Sequence, residues 1–131
     1  MPAYGIDTSI FVRLLTGIPA ADYQTAVNRL ASLRTSQPEP ITVANIVVAE
    51  AYAVLQHHYR LNKADSRAAI LSVLTSGLIE PMHGDAVLNA LRATKEPGLT
   101  DRLIALDYAN QRATVLTLDR KMAALPGCQQ L

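Results

Sequence analysis

The feature that most constrains this chain is a short apolar run that stops at one carboxylate and passes at once into a helical pattern. Ala3-Tyr4-Gly5-Ile6 precedes Asp7, and Ile10, Phe11, Leu14 and Leu15 then recur at helical spacing. The pattern predicts a buried strand over residues 3–7, a turn at Thr8 or Ser9, and a helix ended by Gly17 and Pro19. In open parallel α/β sheets, ligands gather in the crevice beyond the carboxyl ends of the strands. Asp7 stands at such an end. From this stretch alone two readings are open: Asp7 caps the helix, or it belongs to a site.

The remaining chain repeats the alternation. Residues 20–34 read as a helix with Tyr23, Val27, Leu30 and Ala31 inward, and Asp22 in its first turn suits the helix dipole. Ile41 to Val43 is a short strand, and Thr42 is the expected N-cap of a long helix from about Val43 to Tyr59. Helices over Lys63–Ser76 and Gly84–Lys95 flank a brief strand, Leu78-Ile79-Glu80, stopped by Pro81. Thr100 is the expected cap of a helix from Asp101 to about Arg112. Thr114 to Leu118 is rich in β-branched residues and is the most strand-like segment. A short helix, Asp119 to Leu125, and a small C-terminal strand close the chain. This order predicts a three-layer α/β fold, with a short parallel sheet of about four or five strands and helices on both faces. At 131 residues, half of them hydrophobic and 18% charged, one domain over 1–131 with a real core is expected.

Most of the 11 acidic residues have ordinary explanations at helix starts or in loops. Four do not. Asp7 and Asp119 each end an apolar strand, and two parallel strands of one sheet would bring them to the same edge. Glu50 lies in Ile46-Val47-Val48-Ala49-Glu50-Ala51-Tyr52, a helix apolar nearly all round and so expected to be buried. A charge buried there needs a cation, an arginine or a hydrogen-bond network. Asp101 opens the helix carrying Leu103, Ile104 and Leu106, where capping is the competing explanation. Thr117 shares a strand face with Asp119. His57, seven residues past Glu50, lies about 10 Å along the helix and is too far to share a metal with it.

A cluster of three or four carboxylates without His or Cys is a hard-oxygen site suited to Mg²⁺ or Mn²⁺. Without a cation the like charges would repel. The matching chemistry is metal-assisted phosphodiester hydrolysis. Net charge is only +1, so binding to nucleic acid would need a local basic patch. Arg13, Arg102, Arg120 and Lys121 are the candidates, Arg13 one turn past Ser9 and the others beside the third and fourth acids.

With these residues in place, the chain resembles the PIN domain, and within it the VapC-type toxins of bacterial type II toxin–antitoxin pairs. Ile6-Asp7-Thr8-Ser9-Ile10-Phe11 resembles the opening strand of the family, and Ala49-Glu50 the acid of its long helix. Leu99-Thr100-Asp101-Arg102-Leu103-Ile104-Ala105 resembles its third-acid helix and Thr117-Leu118-Asp119 its closing T-x-D. Arg102 departs from the small residue frequent after the third acid. Arg120-Lys121 departs from the aromatic or histidine that often follows the last.

The resemblance implies a metal-dependent endoribonuclease acting on tRNA, rRNA or mRNA. It also implies a homodimer, silenced by a cognate antitoxin whose tail enters the groove. Asp7 and Asp101 would be the principal metal ligands, and Glu50 and Asp119 would complete the site directly or through water. Thr8, Ser9 and Thr117 would orient the carboxylates.

Two other classes of function compete with this one. A catalytically inactive PIN-like binding module would keep the fold and fail to bind metal. A Mg²⁺-dependent phosphoacceptor domain would need a Lys ending a late strand, where this chain has Asp119; a D-x-D phosphatase would need a second Asp where Ser9 stands. One cysteine, Cys128, no signal-peptide pattern and no membrane-length apolar stretch make a cytoplasmic protein the expectation.

Overall fold

The computed structural model describes residues 3–131. Strand β1 (Tyr4–Ile6) leads into helices α1 (Thr8–Thr16) and α2 (Ala20–Ser36). Strand β2 (Ile41–Val43) leads into α3 (Asn45–His57) and α4 (Lys63–Leu74), and β3 (Glu80–Pro81) into α5 (Asp85–Arg92) and α6 (Leu99–Asn110). β4 (Val115–Thr117), α7 (Arg120–Ala123) and β5 (Cys128–Gln130) follow. The three-layer α/β arrangement and the all-parallel pairing agree with the sequence pattern.

The pairing is nevertheless divided. β1, β2 and β3 form one sheet in that order, and β4 pairs with β5 in a second. The expectation that the strands ending in Asp7 and Asp119 share a sheet is therefore corrected. Strand pairing is strongly specified where a face is buried. β4 buries only Val115, while Leu116 is 59% exposed, so little pins β4 against β1.

Local differences have local causes. Thr42 is not a cap: it sits inside β2, paired with both Gly5 and Glu80. Its β-branched side chain suits a strand. α3 starts after Ala44, which makes no side-chain cap. Pro81 does not stop β3 but belongs to it. β3 is an edge strand, where the missing N–H is tolerated, and the Val43 carbonyl accepts instead from the Met82 N–H at 2.8 Å. α6 begins at Leu99 behind Gly98, so Thr100 and Asp101 are its second and third residues rather than its cap and start.

Phe11, Ile41, Val43, Val48, Ile70, Ile79 and Val87 have no exposed surface and centre one core cluster that spans β1 to α6. Val115 and Met122 are buried outside that cluster. On α2, Leu30 is buried and Tyr23 and Val27 are partly so, but Ala31 is exposed.

α3 is also less enclosed than its composition implies. Ile46, Glu50, Ala53 and His57 are exposed. Their spacing of four, three and four residues marks one solvent-facing stripe. Glu50 therefore carries no burial cost, and the expectation of a buried charge is corrected.

Candidate active site

The carboxyl edge of the three-stranded sheet collects the first part of the site. Asp7 follows β1 and caps α1: its Oδ1 accepts from Ser9 Oγ at 2.6 Å and from the Ile10 N–H at 3.1 Å. The Ser9 hydroxyl, and then the Ile10 N–H, hold the Asp7 carboxyl below the ordinary carboxylate range. Capping and site membership are thus compatible, because a single oxygen does the capping. Among the described residues, Asp7 Oδ2 has no hydrogen-bond partner.

The next residue reaches across to α3. Thr8 Oγ1 donates to Glu50 Oε1 at 3.1 Å, again leaving one carboxylate oxygen unengaged. Asp119 repeats the arrangement at the N-terminus of α7. Its Oδ1 accepts from the Lys121 and Met122 N–H groups at 2.8 and 3.1 Å. Thr117 holds the backbone of Asp119 rather than its carboxylate: Thr117 Oγ1 accepts from the Asp119 N–H at 3.0 Å.

Asp101 differs from the other three. It is half-buried in the first turn of α6, and among the described residues no hydrogen bond or ion pair engages its carboxylate. The helix cap lies at Gly98, so capping does not account for Asp101. It opens on a cleft of about 360 Å³ whose walls also carry Tyr52, Lys63, Arg67 and Lys95.

Asn45 brings α6 to this edge. It is 97% buried at the turn from β2 into α3, and its Nδ2 donates to the Leu103 carbonyl at 3.1 Å. Asn45 lies beside Leu103, and Tyr52 shares the cleft with Leu99, so α3 and α6 run antiparallel. Glu50 then comes level with the first turn of α6 at 1.5 Å per residue. The sequence carries a signal for Asn45: a lone amide opening an apolar helix at a strand's carboxyl end must find a partner if buried.

The acids are gathered unequally. Asp7, Thr8 and Glu50 form one linked group, and Asp101 lines the neighbouring cleft on α6. Asp119 belongs to the separate β4–α7–β5 unit. Among the described residues, no three His, Cys, Asp or Glu side chains stand close enough to hold a metal ion as they are.

The four cations also divide. Arg13 pairs with Asp22 at 2.8 Å across the α1–α2 surface. Arg102 donates from Nε to the Pro97 carbonyl at 2.8 Å and from Nη2 to the Lys95 carbonyl at 3.1 Å, so it clamps the α5–α6 connection. These two are occupied inside the molecule, whereas Arg120 and Lys121 are exposed beside Asp119.

The PIN domain family model matches the chain over residues 4–127. The chain belongs to the PIN domain family. No curated protein matches it closely enough to count as a relative. The PIN fold is a nuclease-type fold, and PIN domains are in general nucleases that depend on a divalent metal.

The donor chemistry of this PIN domain fits such an ion. Its side-chain oxygens are hard ligands, and the anchored carboxylates keep one oxygen each without a protein partner. Mg²⁺ is commonly bound by one or two carboxylates with waters filling the other positions. Convergence of three acids is therefore not required for it to bind.

Proposed function

We propose that this PIN domain is a metal-dependent endoribonuclease, the toxin of a VapC-type toxin–antitoxin pair, acting in the cytoplasm on tRNA, rRNA or mRNA. The observation that carries the reading is Asp101, a half-buried carboxylate lining a cleft and without a partner among the described residues. A carboxylate left without a protein partner at a cleft is available to a cation, for which its oxygens are hard ligands. Asp101 and Asp7 would hold Mg²⁺ or Mn²⁺, with Glu50 and Asp119 joining directly or through water. When bound, the ion would supply charge stabilisation at the phosphate and an activated water.

The chain's own residues do the rest. Ser9 and the Ile10 N–H keep Asp7 ionised and fix its orientation. Thr8 fixes Glu50. Asn45 ties the helix bearing Asp101 to α3. A homodimer and a cognate antitoxin belong to the same proposal and rest on the VapC resemblance.

Cleavage of a total RNA pool by the purified chain, freed of any co-purifying partner, tests this. Fragments should appear with Mg²⁺ or Mn²⁺ and vanish with chelator. Asp101→Asn should abolish them while leaving circular dichroism and thermal melting unchanged. Full activity in that variant would sink the assignment.

One observation favours a second reading, the catalytically inactive binding module: among the described residues no three acids converge. Calorimetric titration with Mn²⁺ separates the two. The nuclease binds the ion and loses affinity in Asp101→Asn, whereas the inactive module binds none.

A further inference from the structure

The cations that line the Asp101 cleft are not those flanking the acids in the sequence. Lys63 and Arg67 stand one turn apart on α4, and Lys95 lies on the α5–α6 connection. Residues four apart share a helix face. Asp65 is two residues from both Lys63 and Arg67, about 200° away on the opposite side of α4. Among the described residues none of the three cations has an ion-pair partner within 4.0 Å. Lys95 is carried on a loop that Arg102 clamps through two backbone carbonyls, so its approach to the cleft is built. Against these three charges the cleft sets two carboxylates, Glu96 and Asp101.

We infer that Lys63, Arg67 and Lys95 form the seat for the RNA phosphate backbone next to the scissile phosphate. This rests on the nuclease reading above and adds the residues that position the substrate. A strand whose reacting phosphate lies at Asp101 must place neighbouring phosphates in the same cleft, where the unpaired cations are. Arg67 suits a phosphate through its planar fork, and the lysines suit it as point charges. The aromatic of the cleft, Tyr52, is only 7% exposed and offers no open face for a base to stack on. Contact is therefore with backbone charge and is independent of sequence, the kind that sets affinity and register. It also gives a chain of net charge +1 three cations in one cleft beside the reacting group with which to contact a polyanion.

The test is binding of a short, mixed-sequence, fluorescein-labelled single-stranded RNA to the full chain in chelator, read by anisotropy over a series of salt concentrations. Each phosphate contact contributes about 0.7 to the slope of log K against log salt for a single strand. The triple variant Lys63→Gln/Arg67→Gln/Lys95→Gln should lower the slope by about 2. Its affinity at low salt should fall by about tenfold or more, with melting temperature retained. Arg29→Gln, on the exposed surface of α2, should change neither. Arg67→Lys should recover part of the single-site loss that Arg67→Gln shows. In the cleavage assay the triple variant should raise KM far more than it lowers kcat.

Unchanged affinity and slope in the folded triple variant overturn the phosphate seat while leaving the nuclease reading intact. So does a triple variant that loses only the binding of poly-glutamate, which would make the cleft a seat for an acidic peptide. Absence of any RNA binding by the unaltered chain overturns both readings together.

Discussion

At the residue scale, each carboxylate of the site is defined by what holds it. Asp7, Glu50 and Asp119 are fixed through one oxygen by a neighbouring hydroxyl or helix N–H, and Asp101 by no hydrogen bond among the described residues. The lowered pKa of Asp7 follows first from the Ser9 hydroxyl. Removing that donor with Ser9→Ala should return the carboxyl toward the ordinary value of about 3.9, read by ¹³C NMR titration of the Asp7 carboxyl. An unmoved titration would show that Ser9 is not the cause. The sign for stability is set by the same shift. Because the folded pKa is lowered, the contribution is full above the unfolded value and is lost as pH falls through the lower folded one. As pH falls, the wild type therefore loses this contribution progressively between the unfolded and the lower folded value, and Ser9→Ala has less of it to lose. That Asp7 would sit at a strand end was legible from Ile6-Asp7-Thr8-Ser9. That Ser9 rather than Thr8 would hold it was not, since both hydroxyls lie within reach in sequence and only the turn geometry selects one.

At the element scale, α3 and α6 decide whether the acids meet. Asn45 is the joint: one amide hydrogen bond crosses 58 positions of sequence to the Leu103 carbonyl. Asn45→Ala should cost about 1–3 kcal/mol, the range for a buried hydrogen bond whose remaining partner is left unsatisfied. A urea midpoint measurement checks the stability, and cleavage by the same variant should fall because α6 loses its anchor to the sheet edge. A midpoint equal to that of the unaltered protein would show that packing alone holds α6. The existence and order of these helices were legible from periodicity. Their exposed faces were not. Ile46-Val47-Val48-Ala49 reads as buried on every side, yet Ile46 is 64% exposed, on the solvent-facing 46–50–53–57 stripe of α3. A hydrophobic residue on a helix does not specify which neighbours arrive.

At the scale of the whole molecule, the chain has a main body and a lightly attached closing unit. The body runs from β1 to α6 around one core. The β4–α7–β5 unit buries Val115 and Met122 outside that core and leaves Leu116, Leu118 and Leu131 mostly exposed. A groove of about 330 Å³ persists where Leu125 and Pro126 meet α5 and α6. Few buried apolar contacts mean a low free energy of local opening. Backbone amides of β4 and β5 should therefore exchange hydrogen faster than those of β1 and β2, as read by mass spectrometry or NMR. Equal protection would show that the unit opens only with the whole fold. Since Asp119 rides on this unit, its contribution to the site depends on how the unit docks. The other three acids lie in the body.

What the sequence by itself determined is the local grammar. Short apolar strands alternate with helices, one carboxylate ends the first strand and another the fourth, and two more lie on helices. These are properties of consecutive residues, governed by periodicity and turn chemistry. Only the tertiary structure decided that β1 and β4 are not laddered together and that Glu50 faces solvent. It also decided that Arg13 and Arg102 are spent on internal contacts, and that Lys63, Arg67 and Lys95 line one cleft with Asp101. Each of these depends on which distant element packs beside a residue. That outcome is set by burial and packing over the whole chain, and no short stretch of sequence contains it.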